Sequence, residues 1–154
     1  MTNMEQQVSG LVLVVDDDEG VRQVLSRWVV ELGYTVQAAA DADSALDMMR
    51  GQPVDVALVD VRMPGHDGIW LLDQARQLSP DTAMVLATGL LEMDPTVTLR
   101  PGVVGYIVKP FNREALTQAI KRGMAARRRL QEEHRSQPRL LSDAVLDGIV
   151  VSAD

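Results

Sequence analysis

Val54-Asp55-Val56-Ala57-Leu58-Val59-Asp60-Val61-Arg62-Met63-Pro64-Gly65-His66-Asp67-Gly68 is the stretch that decides the fold. The apolar run Val54–Val59 stops abruptly on a carboxylate, Asp60, and a turn at Met63-Pro64-Gly65 leads into a helix. A run of about four to eight apolar residues between turn signals marks a strand covered on both faces. An acid at the carboxyl end of such a strand sits where open α/β sheets gather their chemistry. Asp60 therefore reads as a nucleophile that accepts a phosphoryl group.

The same pattern recurs on either side. Leu11–Val15 is an unbroken apolar strand ending on Asp16-Asp17-Asp18 and Glu19, acids that suit the positive end of a helix. That helix carries Val21, Val24, Leu25, Trp28, Val29 and Leu32 at helical spacing, with Trp28 read as core, and Gly33 ends it. Tyr34–Ala38 is the second strand, followed by a helix over Ala42–Arg50 capped by Asp41 or Asp43. After the Asp60 strand comes a helix from about Asp67 to Leu78, with Ile69, Leu71, Leu72, Ala75 and Leu78 inward. Thr82–Ala87 ends at Thr88-Gly89, and Val103–Val108 ends at Lys109-Pro110-Phe111. A last helix starts near Asn112 as its cap. Between strands four and five, Pro95 and Pro101 restrict the helix to a short piece, Pro95 to Arg100 with Asp94 as cap. Five strand–helix alternations mean right-handed crossovers and a parallel sheet with helices on both faces.

Bulk properties agree with one domain and a piece more: 154 residues, 46% hydrophobic, enough for a real core. Cysteine is absent, which excludes disulfides and thiolate metal sites. Aromatic residues are 3% of the chain, too few for a platform that stacks single-stranded bases. The net charge of −7 argues against nucleic acid as a partner. No signal peptide and no apolar run long enough for a membrane span are visible, so the expected location is cytoplasmic.

Four strand ends thus carry polar groups: Asp16 and Asp17, Asp60, Thr88, and Lys109. In a parallel sheet these ends share one crevice. Carboxylates crowded there repel unless a hard cation with oxygen ligands, Mg²⁺ for phosphate chemistry, stands between them. Taken singly, each has a bland reading: the acid pair as a helix cap, the Thr as structural, the Lys as solvated. Their joint placement is what carries the functional reading. His66 and His134 read as solvated.

The chain resembles the receiver domain of bacterial two-component response regulators. The likeness lies in Leu13-Val14-Val15-Asp16-Asp17, in Asp60 with Met63-Pro64-Gly65-His66-Asp67-Gly68, in Ala87-Thr88-Gly89 and in Gly105-Tyr106-Ile107-Val108-Lys109-Pro110-Phe111. It implies a flavodoxin-like, doubly wound (βα)5 fold with a five-stranded parallel sheet of order 2-1-3-4-5. It implies Mg²⁺ held by Asp16, Asp17, Asp60 and the backbone carbonyl of Arg62, with Thr88 and Lys109 binding phosphate and Lys109-Pro110 cis. Tyr106 falls on the switch aromatic, which turns in behind Thr88 and alters the surface of the fourth helix, fifth strand and fifth helix. The implied partner is a sensor histidine kinase, with a receiver homodimer or a downstream effector domain as output. Such a module is no enzyme beyond catalysing its own phosphorylation and dephosphorylation.

Two other readings compete. A haloacid-dehalogenase-like phosphatase would use Asp16 as nucleophile, with Asp18 completing its Asp-x-Asp. A receiver that is never phosphorylated would act as a binding module alone.

The organisation expected is a leader over residues 1–9, a receiver over 10–128, and a helical extension or linker over 129–154, or the start of a downstream domain. Residues 121–139 hold seven Lys/Arg and two Glu and read as a solvated continuation of the last helix, stopped by Pro138. Ile149–Val151 reads as a strand without a partner.

Overall fold

The computed structural model of the chain describes residues 10–89 and 95–147. The leader, Asp94 and the strand expected at Ile149–Val151 lie outside them. Five parallel strands, β1 (Leu11–Val15), β2 (Thr35–Ala39), β3 (Val56–Asp60), β4 (Ala83–Gly89) and β5 (Val103–Lys109), form one sheet of order 2-1-3-4-5. The helices are α1 (Glu19–Glu31), α2 (Ala42–Gly51), α3 (Gly68–Leu78) and α4 (Arg113–Asp147). A 3-10 helix, Pro95–Leu99, stands where the short fourth helix was expected.

Strand periodicity divides the core into two layers. Leu13, Val15, Ala57, Val59, Met84 and Leu86 face α2 and α3. Val12, Val14, Val56, Leu58, Val85 and Ile107 face α1 and α4, where Leu25, Val29, Leu116 and Ile120 meet them. Trp28 is half-buried at the margin of this second layer rather than inside it, and Leu78, expected inward, is 40% exposed.

Each helix start follows the capping rule. Asp18, Asp41, Asp67 and Asn112 accept hydrogen bonds from backbone amides three residues on, at 2.7 to 3.1 Å. Gly33, at φ +101°, turns the chain after α1. Asp55 belongs not to β3 but to the turn before it, where its carboxylate accepts from the Leu11 amide at 2.7 Å.

The C-terminal helix departs most from expectation. It is one helix of 35 residues that runs through Pro138. Proline's own φ is helical, so it removes one backbone hydrogen bond and crowds one turn, about 3 kcal/mol, without dictating a stop. Nor is the basic segment simply solvated. Arg127 is 11% exposed; its Nε donates to Asp55 and its Nη1 to the Asp81 carbonyl at 3.0 Å. His134, read as solvated, pairs with Asp81 at 2.6 Å. The helix is therefore clasped to the amino-terminal edge of the sheet. Among the described residues no helix is long and apolar enough to cross a membrane.

Candidate functional site

The carboxyl edge of β1, β3 and β5 brings together the residues singled out from sequence. Oxygens of Asp16, Asp17 and Asp60 lie within 4.8 Å of one another. Asp16 and Asp60 are buried, at 1% and 7% exposure, whereas Asp17 is exposed. The Lys109 ammonium sits between the two buried acids, 2.9 Å from Asp16 and 3.3 Å from Asp60. The backbone amide of Asp18 donates to the Asp16 carboxylate at 2.9 Å, and that of Arg62 to Asp60 at 3.2 Å. Lys109-Pro110 is cis.

Register explains the convergence. Asp16 and Asp60 continue the even-numbered positions of β1 and β3, the layer of Val14 and Leu58. Lys109 reaches that face because β5 carries one extra residue opposite Met84/Val85. Beyond the irregularity Ala87 pairs with Ile107 and Gly89 with Lys109. Without it every later side chain of β5 would point to the other face.

Thr88 belongs to that other face. It is buried, and its hydroxyl donates to the Gly89 carbonyl at 3.2 Å rather than to an acid of the cluster. Tyr106 shares its face, since Leu86 pairs with Tyr106 and Thr88 with Val108, and it is 41% exposed. His66 pairs with Asp43 at 3.0 Å and stacks on Trp70 with ring centroids 3.7 Å apart. It does not join the acids.

Burial, and next the charge of Asp16, raise the Asp60 carboxyl above the ordinary aspartate value; Lys109 and the Arg62 amide oppose this without cancelling it. Burial works against the Lys109 ammonium, yet the Asp16 hydrogen bond and the two carboxylate charges outweigh it and hold its pKa above the usual lysine value. For Asp60 the sign is destabilising. Between the unfolded value near 3.8 and the raised folded one, the native chain holds the extra proton, so stability falls as pH rises through that window. Asp60→Asn is expected to melt higher than wild type at neutral pH. The difference should shrink to nothing as pH falls to the aspartate value. Calorimetry showing equal or lower melting at pH 7 would count against this electrostatic account.

Sequence reasoning missed two supports. Gly68 starts α3 against the end of β3: a Cβ there would lie 2.5 Å from the Asp60 carbonyl oxygen and 2.9 Å from the Val61 Cα. Neither backbone atom can yield without moving Asp60. Gly68→Ala should cost about 1–3 kcal/mol in urea unfolding, and an unchanged midpoint would show that β3 is looser than described. Arg22 is the other; its Nη1 donates to the Asp16 carbonyl at 2.8 Å.

The donor set fits a hard cation. All three side chains offer oxygen, they come from two adjacent strand ends, and two are already buried. Asp18, the second acid of the Asp-x-Asp, is spent as the cap of α1, accepting from the Val21 amide at 3.1 Å.

Residues 12–121 match the model of the response regulator receiver domain. The C4-dicarboxylate transport transcriptional regulatory protein DctD of Rhizobium meliloti is 32% identical over 139 residues, covering 90% of this chain and 30% of DctD. The transcriptional regulatory protein AruR of Pseudomonas aeruginosa is 38% identical over 116 residues, covering 71% of this chain and 47% of AruR. The chain thus spans less than half the length of these curated relatives. A CheY-like receiver domain protein from Methanospirillum hungatei superposes with a TM-score of 0.73 at 28% identity, covering 79% of this chain and 98% of that one.

Proposed function

From the premise that the chain belongs to the response regulator receiver family of two-component signalling, we propose that Asp60 is its phosphoacceptor. The carrying observation is the convergence of Asp16, Asp17, Asp60 and Lys109, from three strands, in one crevice. In the reaction a carboxylate oxygen of Asp60 attacks phosphorus. The new O–P bond forms as the N–P bond of a partner's phosphohistidine breaks, and the electron pair returns to the imidazole. Asp16, Asp17, Asp60 and the Arg62 carbonyl would hold Mg²⁺. Bound there, the ion supplies positive charge beside the phosphoryl oxygens. Lys109 already bridges the two buried acids, so its ammonium is placed to pass to a phosphoryl oxygen as charge builds.

Thr88 would have to give up Gly89 and turn toward the phosphoryl group to bind it. Its departure would vacate space on the face it shares with Tyr106, and the exposed ring would turn in behind it. That is a two-state element biased by a new charge. The partners this reading requires are a sensor histidine kinase and an output, either a second receiver or an effector domain, in a cytoplasmic setting. The names of DctD and AruR, both transcriptional regulatory proteins, favour an effector.

The commitment of Asp18 to the helix cap speaks against a dehalogenase-like hydrolase with Asp16 as nucleophile. The complete acid set speaks against a mute binding module. The deciding experiment is incubation with acetyl phosphate and Mg²⁺, then borohydride trapping and peptide mass mapping. A homoserine at residue 60, left when hydride reduces the acyl phosphate and phosphate departs, supports the reading. Homoserine at residue 16 supports the hydrolase, and no Mg²⁺-dependent reduction product supports the binding module.

A further inference from the structure

Arg22 is the fourth residue of α1, so a permanent cation stands in the first turn, where the helix dipole favours acids. Its half-buried side chain doubles back to donate from Nη1 to the Asp16 carbonyl at 2.8 Å. That carbonyl belongs to the peptide joining Asp16 to Asp17. On the near side Asp16 is fixed already: its amide donates to the Ala39 carbonyl at 3.2 Å, and its carboxylate is held by the Asp18 amide and by Lys109. Asp17 differs. It is exposed, yet one of its carboxylate oxygens lies within 4.8 Å of those of Asp16 and Asp60. The peptide plane that precedes a residue fixes the N–Cα bond about which its side chain swings, and this plane is anchored by Arg22.

We propose that Arg22 is a positioning residue: by gripping the Asp16 carbonyl it aims Asp17 into the acid cluster and so sets the affinity for the cation. The proposal rests on the cation-assisted phosphoacceptor reading above. Its sign separates it from simple electrostatics. A positive charge near a cation site repels the cation, so removal of the charge alone would tighten metal binding. Loss of positioning loosens it.

The test is calorimetric titration of Mg²⁺ into the unphosphorylated chain, for wild type and the variants Arg22→Gln, Arg22→Met, Arg22→Lys and Asp17→Asn. Each is read only if its circular dichroism melt matches wild type. We expect fivefold or greater weakening in Arg22→Gln and Arg22→Met. Arg22→Lys should recover part of the loss, because an ammonium can still donate to the carbonyl but lacks the rigid fork. In beryllofluoride modification the loss should appear mainly as a higher half-saturating Mg²⁺ concentration rather than as a lower plateau. Unchanged or tighter Mg²⁺ binding in a folded Gln or Met variant overturns the proposal. If neither folds, ¹⁵N relaxation of the wild-type Asp17 amide decides. An order parameter of about 0.85 is what a gripped peptide requires, and one below about 0.6 is incompatible with it. A wild-type chain that binds no Mg²⁺ sinks the phosphoacceptor reading itself. Weakening in Asp17→Asn without weakening at Arg22 sinks only the role of Arg22.

Discussion

Asp60→Asn should lose phosphoryl acceptance by a factor of at least about 10³, roughly 4 kcal/mol in barrier, while keeping its fold. The amide has the shape of the carboxylate but neither its charge nor its nucleophilic lone pairs. Because the substitution also relieves a buried, raised carboxyl, the inactive variant should be the more stable one. Loss of activity through unfolding is thereby separated from loss of the acceptor. Asp16→Asn keeps the nucleophile and should retain a trapped adduct at reduced rate. Lys109→Ala should fall by about 10²-fold, the scale seen when one preorganised donor to developing charge is deleted. Mass spectrometry after acetyl phosphate treatment reads all three. An adduct of wild-type yield in Asp60→Asn would end the assignment.

The second large effect is on stability, at the opposite edge of the sheet. Asp55→Ala deprives two groups at once: the Leu11 amide and the guanidinium of Arg127, which is 11% exposed. Stripping a buried cation of its partner costs about 3–5 kcal/mol when burial is complete. Asp55 is 28% exposed, so water screens part of this, and about 3 kcal/mol is expected. Against a total of roughly 5–15 kcal/mol that is a large share, and it should lower the melting temperature by about 10 °C. Asp47→Ala serves as the contrast. Its ion pair with Arg50 lies within one helix, with side chains 74% and 58% exposed. Its removal should change stability by less than about 0.5 kcal/mol. The double variant Asp55→Leu/Arg127→Leu should recover much of the loss, since no buried charge is then left alone. Urea unfolding checks the set, and a loss in Asp55→Ala no larger than in Asp47→Ala would show that the clasp contributes nothing.

What could be read from sequence was whatever repeats with a period. The strands and the helix caps, together with the coincidence of polar residues at strand ends, follow from local pattern, and the structure places Asp16, Asp17, Asp60 and Lys109 where that pattern puts them. The extra residue in β5 leaves no such trace. Nothing in Val103-Val104-Gly105 announces which residue is unpaired, yet that choice aims Lys109 at the acids. Long-range polar pairing was equally silent. Arg127 and His134 sit in a run of charges that looks solvated, and their partners Asp55 and Asp81 lie far back in the chain. Pro138 misled because a proline signals a break only by its cost, and a long helix can bear one.

The continuity of α4 has a mechanical meaning. It starts just past Lys109-Pro110, at the acid rim, and crosses beneath the sheet at Arg127. With about 1.5 Å of rise per residue, roughly 21 Å of helix lies before that point and roughly 30 Å after it. The stretch before Arg127 is bedded on the sheet through Leu116 and Ile120, and Arg127 and His134 tie the stretch that follows. The helix is therefore a strut that moves with the sheet as one body, carrying the acid rim and Asp147 on a single axis about 51 Å long.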